Sequence, residues 1–182
     1  MDGFSGTERI IKLMKNLIII NGTMGAGKTI TSKELQKILP HNVFLDGDWC
    51  WNMEPFTVTD ETKAMVVDNI TYLLNNFIRC SVYENIIFCW VMHEQDIIDQ
   101  VISGLNTSDC RVKVFSLVLN EKALRERMGR DVMAGIRSED AIQRSIDRID
   151  LYQKLNTVKI DVSNISASQA AELIKSKLAF EK

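Results

Sequence analysis

Apolar residues along the chain fall into two alternating patterns. Short runs rich in β-branched and leucine residues occur at Leu17–Ile20, Asn42–Leu45, Ile86–Val91, Val112–Leu119 and Val158–Val162. Their length and composition predict strands, and the unbroken run Ile86–Val91 suits a central parallel strand covered on both faces. Between them, apolar residues recur every three or four positions, the helical period. Lys28 to Leu39 carries Ile30, Leu35, Ile38 and Leu39 on one face and stops at Pro40. A long helix is predicted from about Thr59 to Cys80, with Thr57 as its cap and Asp60 in the capping-box position. Glu94–Leu105 and Glu121–Met128 follow, then an arginine-rich segment around Gly129, then one helix over Glu139–Leu155. Ser166 and Gln169 form a capping box for a closing helix with Ala170, Leu173, Ile174 and Leu178 inward. Strands alternating with helices predict a three-layer α/β/α domain around a mainly parallel sheet.

Composition narrows the class. With 182 residues, 46% hydrophobic and 25% charged, the chain is long enough for one sizeable core and has no signature of disorder. Residues 16–182 are expected to be that single domain, with residues 1–15 as a lead-in. A net charge of −2 supplies no general attraction to nucleic acid or anionic membrane. The basic residues before Leu17 precede an apolar core too short for a secretory signal, and no stretch approaches a membrane span. The cysteines at 50, 80, 89 and 110 lack a C-x-x-C pair and read as reduced thiols. A cytoplasmic protein, monomeric or homodimeric, is the expectation.

Chemistry enters after the first strand. Gly22-Thr23-Met24-Gly25-Ala26-Gly27-Lys28-Thr29 fits the phosphate-binding pattern G-x-x-x-x-G-K-[ST] at every fixed position, between a strand and a helix. Glycines let successive backbone N–H groups wrap an anion, and the following helix adds its positive end. Lys28 would reach the β/γ-phosphates and Thr29 would hold Mg²⁺. The spacing therefore predicts a nucleoside triphosphate site, with ATP and Mg²⁺ as cofactors.

Three further groups carry candidate chemistry. Asp46 and Asp48 stand just past the second strand, at the carboxyl edge where open α/β sheets bind ligands. Read as extended chain, their carboxylates share one side, one for the metal and one to accept a proton from an attacking hydroxyl. Trp49, Trp51 and Phe56 follow and could stack on a substrate ring or pack under a loop. Six of the nine arginines lie between Arg125 and Arg148. Guanidinium forks match phosphate oxygens, so an arginine-rich lid over residues 125–138 is expected. Arg127 and Arg130 flank Gly129 and rank first, with Arg137 next, and Arg144 and Arg148 are i, i+4 neighbours facing either site or solvent. His93 ends the third strand, where an imidazole suits an acceptor or a structural role.

On these motifs the chain resembles the P-loop kinases of the nucleoside-monophosphate-kinase-like superfamily, among them shikimate kinase, gluconate kinase and chloramphenicol phosphotransferase. The resemblance runs from about Asn16 to the end and rests on Gly22–Thr29, Asp46-Gly47-Asp48 and Arg125–Arg137. It implies a five-stranded sheet in order 2-3-1-4-5, a mobile lid, and transfer of the ATP γ-phosphoryl group to a hydroxyl or phosphate of a small molecule or nucleotide. Asp46 resembles the acid that organises Mg²⁺, and Asp48 the acid that binds and deprotonates the acceptor. The adenylate-type Asp-Gly-Phe/Tyr-Pro-Arg sequence is replaced by Trp90-Val91-Met92-His93-Glu94, and the shikimate-kinase glycine triplet is missing, which leaves the acceptor open. The other classes the sequence allows are a nucleotide-dependent switch or slow ATPase for a protein partner, and a kinase of nucleic-acid ends, which the charge disfavours.

Overall fold

A computed structural model describes residues 14–178. The lead-in expected over residues 1–15 lies outside the described residues up to residue 13, and Lys15 already belongs to the first strand. The apolar runs become β1 (Lys15–Gly22), β2 (Asn42–Asp46), β3 (Asn85–Trp90), β4 (Cys110–Val118) and β5 (Val158–Asp161). Every pairing is parallel, and the order is β2-β3-β1-β4-β5, as the resemblance implied.

Alternation along β1 builds the two core layers. Ile18 and Ile20 point to one face, and Leu17 and Ile19 to the other, all fully buried. Burial of such a side chain stabilises by roughly 1.5–3 kcal/mol, before entropy is charged against it. The first face is covered by α1 (Lys28–Ile38), α4 (Glu121–Met133), α5 (Asp140–Ile146) and α7 (Ala167–Leu178), through Leu35, Leu124, Met128, Ala141 and Ile174. The second is covered by α2 (Asp60–Arg79), α3 (Gln95–Ser103) and α6 (Ile149–Lys154), through Val66, Ile70, Val101 and Tyr152. No helix among the described residues is long and apolar enough to cross a membrane. Cys50, Cys80 and Cys89 are free thiols.

Several boundaries differ from the pattern reading. The reciprocal cap of α2 is made by Thr59 and Thr62, not by Thr57 and Asp60. At α7 the expected box is present, Ser166 and Gln169 each bonding the other's backbone N–H. α4 runs straight through Gly129 to Met133, and the left-handed turn falls at Gly135, with φ +69°. Ile30 and Leu173, expected inward, are exposed.

The helix expected over Glu139–Leu155 is broken into α5 and α6 at Asp147-Arg148. Ser145 Oγ back-bonds to Ala141 O at 2.7 Å, an arrangement that bends helices. Its own carbonyl, which a continuous helix would commit to residue 149, accepts from the Thr23 hydroxyl at 3.1 Å. A tertiary partner replaces the helical one, and no periodicity in the chain encodes it.

Candidate active site

β1 delivers the chain into the glycine loop at the carboxyl edge of the sheet. Gly25 has φ +81°, and a Cβ there would stand 2.6 Å from Met128 Cγ, so the loop both needs a left-handed residue and packs against α4. Gly27 caps α1 without a side-chain bond, which leaves the first helical N–H groups of α1 for a ligand. The Lys28 ammonium donates to Thr23 O at 3.2 Å. Burial pushes its pKa below the ordinary lysine value, against the opposing pull of Cys89, Asp48 and Asp46. A desolvated cation of this kind is poised for an anion.

The acids divide their positions. Thr29 Oγ1 donates to Asp46 Oδ2 at 2.6 Å, and Asp46 Oδ1 accepts from the Asp48 N–H at 3.1 Å. Asp46 is only 5% exposed. The segment is not extended as expected: the strand ends at Asp46, and Gly47–Trp51 is a 3-10 helix capped by the Asp46 side chain. The two carboxylates therefore do not share one side of a pleat. Asp46 turns to Thr29, while Asp48 opens into the neighbouring cavity. Burial, then Asp46, raise the Asp48 pKa, and Lys28 and Arg137 oppose them. Cys89, in register with Asp46 on β3, is pushed up to about 12 by burial and by Asp46, which leaves it an inert thiol.

One open cavity of about 1390 Å³ joins these parts. Among the sequence-predicted site residues, Met24, Gly25, Gly27, Lys28, Thr29, Asp48, Trp49, Trp51, His93, Arg127, Arg130 and Arg137 line it. Gly22, Thr23, Ala26 and Asp46 are buried behind that surface. The arginines differ in what holds them. Arg127 donates to Ala26 O at 3.2 Å and to Val162 O, spanning the glycine loop and the end of β5. Burial and Arg130 lower its pKa. Arg137 pairs with Asp131 at 2.9 Å, and Arg130 donates to Glu126 O in its own helix. Arg125 and Arg144 make helix-surface pairs with Glu121 and Asp140 and do not line the cavity.

Sequence reasoning left one contributor open between site and solvent and missed another. Arg148 reaches the cavity because the α5–α6 break places it at the start of α6, beside His93, whose pKa is lowered by burial and then by Arg148. Trp90 read as strand core, yet it lines the cavity, its ring 6.4 Å from that of Trp51 and tilted by 36°, and Trp51 also meets Phe56 at 5.8 Å. Its place at the last residue of β3, beyond which strand side chains reach the sheet edge, was the available signal. Trp49 packs edge-on against Phe44 at 5.3 Å. Asn21, fully buried, ties the loop to the β3 edge by exchanging bonds with the Met92 N–H and carbonyl at 2.9 and 2.7 Å.

A parallel 2-3-1-4-5 sheet with a glycine loop after β1 and an acid after β2 defines the P-loop kinase fold. Residues 18–145 match the family described as an AAA domain, and the chain belongs to that family. Solved structures share the whole architecture. The tunicamycin resistance protein of Deinococcus radiodurans superposes with a TM-score of 0.68 at 19% identity, over 92% of this chain and 97% of that one. A gluconokinase from Sinorhizobium meliloti gives 0.63 at 17%, over 92% and 95%. Shikimate kinase from Acinetobacter baumannii, in complex with shikimate, gives 0.62 at 20%, over 92% and 94%. No curated protein matches the sequence.

Proposed function

We propose that the protein is a Mg-ATP-dependent kinase that transfers the γ-phosphoryl group to a hydroxyl or phosphate of a small molecule. The carrying observation is that the Lys28 loop, Thr29 and the ionisable Asp48 line one cavity, and that Asp46, buried behind it, accepts from Thr29. The fold's membership among P-loop kinases, and neighbours that include a gluconokinase and a shikimate kinase, support the same reading.

In this reading the loop N–H groups and Lys28 bind the β- and γ-phosphates. Thr29 Oγ1 and an Asp46 oxygen, 2.6 Å apart, are hard oxygen donors of the kind Mg²⁺ takes alongside substrate phosphates and water, so the residues present fit the ion. Mg²⁺ supplies charge neutralisation across the phosphates. Asp48 orients the acceptor and takes its proton. Arg130, Arg137 and Arg148 face the space where charge spreads during transfer, while Arg127 braces the loop from the donor side.

The test is ADP release from ATP and Mg²⁺, with and without nucleosides, nucleotides, sugar acids and hydroxylated antibiotics. Stimulation by one class, with the phosphorylated product detected by mass, is the expected result. Slow hydrolysis indifferent to every acceptor would replace the kinase by a nucleotide switch.

A further inference from the structure

We propose that the acceptor is an uncharged molecule carrying its hydroxyl on a flat aromatic body, and not a sugar acid or other carboxylate; this deepens, and rests on, the kinase reading above. All three tryptophans of the chain, Trp49, Trp51 and Trp90, line the single cavity that contains Asp48. They arrive from two separate segments, the 3-10 helix after β2 and the end of β3. Phe56 and Val58 extend the wall. Trp51 and Trp90 are half-buried against the core, whereas Trp49 is 58% and Phe56 66% exposed. Large apolar faces gathered on a concave surface mark a binding wall.

The wall is attached to the proton acceptor. Trp90 lies so close over Gly47 that a Cβ there would stand 2.5 Å from its ring, and Gly47 separates Asp46 from Asp48. A ring seated against the tryptophans is thereby held next to the Asp48 carboxylate. The cavity exceeds the ~300–1,000 Å³ of an ordinary single-ligand pocket, which leaves room for such a body beside the nucleotide.

Charge argues for the same class. The stretch Trp49, Trp51, Asn52, Phe56, Val58 and Trp90 offers rings and neutral dipoles but no cation. Lys28 belongs to the phosphates, Arg127 is engaged with the backbone, and Arg137 is paired with Asp131. Burial and then Arg148 lower the His93 pKa. A carboxylate on the acceptor would face Asp48, whose neighbouring cations Lys28 and Arg137 are already committed, and Arg130 and Arg148 are the cavity's remaining cations. In the transfer, the acceptor oxygen bonds to the γ-phosphorus while the bond to the β,γ-bridging oxygen breaks. The hydroxyl proton passes to Asp48, and ADP leaves.

Intrinsic tryptophan emission comes entirely from this wall, so binding is read directly on the full chain. Phenyl β-glucoside and 1-phenylpropane-1,3-diol serve as neutral aromatic probes, with gluconate and shikimate as acids. The expected result is that the neutral probes perturb the emission and stimulate ADP release from Mg-ATP, with KM at least about tenfold below the acids. Trp49→Ala and Phe56→Ala, both at exposed positions, raise the neutral-probe KM by on the order of tenfold while ATP affinity holds. Acids as the better acceptors, with Arg148→Gln and not Trp49→Ala raising their KM, would overturn the proposed class and leave the kinase reading standing. Neutral probes that perturb emission without stimulating ADP release would support the ligand class and refute the kinase. No response to either neutral probe overturns the proposal.

Discussion

Replacing Gly47 by alanine isolates the contact between the aromatic wall and the acid pair. Gly47 is outside the positive-φ region, so alanine suits its backbone. Without a steric conflict, Gly47→Ala would stabilise the fold by about 0.4–1 kcal/mol, through the unfolded chain. The structure reverses that sign. The new methyl would lie 2.5 Å from Trp90 Cδ1 and Cγ and 2.9 Å from its Cβ, and neither a ring nor a strand Cβ can swing aside like the end of a flexible chain. Overpacking of this kind costs about 1–3 kcal/mol. At roughly 2–4 °C per kcal/mol for a chain of this size, the melting temperature falls by about 2–12 °C. The displaced backbone also carries Asp46 and Asp48, so kcat/KM falls with it. Urea titration followed by helical circular dichroism measures the stability of Gly47→Ala, Trp90→Leu and the double variant. Relief of the clash by the smaller side chain makes the double variant cost less than the sum by at least about 1 kcal/mol. Additivity within about 0.5 kcal/mol, or a stabilised Gly47→Ala, would refute the proposed contact.

Two further outcomes address the chemistry. Lys28→Ala lowers kcat by about 10²–10³-fold or more while the fold persists, because holding a desolvated ammonium charged already weighs against the folded state; near-native turnover would remove the loop lysine from the mechanism. Asp48→Asn lowers kcat by about 10²–10⁴-fold with little change in ATP affinity, and loss of ATP affinity alone would end its assignment as proton acceptor. In the parent enzyme kcat/KM falls on the acid side, with an apparent pKa above that of an ordinary aspartate, as Asp48 protonates. The stability effect has a definite sign. A folded-state pKa raised above the unfolded value penalises the ionised fold, so Asp48→Asn raises the melting temperature at neutral pH. That gain shrinks as pH falls and vanishes below the ordinary aspartate pKa, where both states are protonated; a gain unchanged between pH 7 and pH 3 would exclude the electrostatic cause.

Local signals carried most of the fold and part of the site. Five apolar runs with helical periods between them became five parallel strands and their crossovers, and the glycine loop was readable because its chemistry requires fixed residues at fixed offsets. What the sequence concealed depends on distant partners. The break at Asp147-Arg148 arises from a bond to Thr23, 122 residues away, and it is that break which brings Arg148 to the cavity. Ile30 looked like core by its spacing, but α1 starts at the mouth of the loop, where its first turn faces the cavity. Asp46 and Asp48 stand at the end of β2, where their position put them, but their geometry was not legible: a 3-10 turn, and not a pleat, separates them.

The Thr23–Ser145 bond makes the glycine loop and α5 one mechanical piece. Both residues are almost completely buried, and the hydroxyl reaches the carbonyl three residues before Arg148. A displacement of the loop is therefore passed to that guanidinium through a single bond and one turn of chain, like a bell-crank whose short arm lies under the phosphates. Arg127 of α4 has its own tie to the loop, at Ala26 O, and between α4 and α5 lies the turn at Gly135, flanked by Met133 at 89% and Ile136 at 69% exposure. The arginine-bearing region is thus pinned to the loop twice, at Arg127 and just ahead of Arg148, with an exposed turn between the two pins.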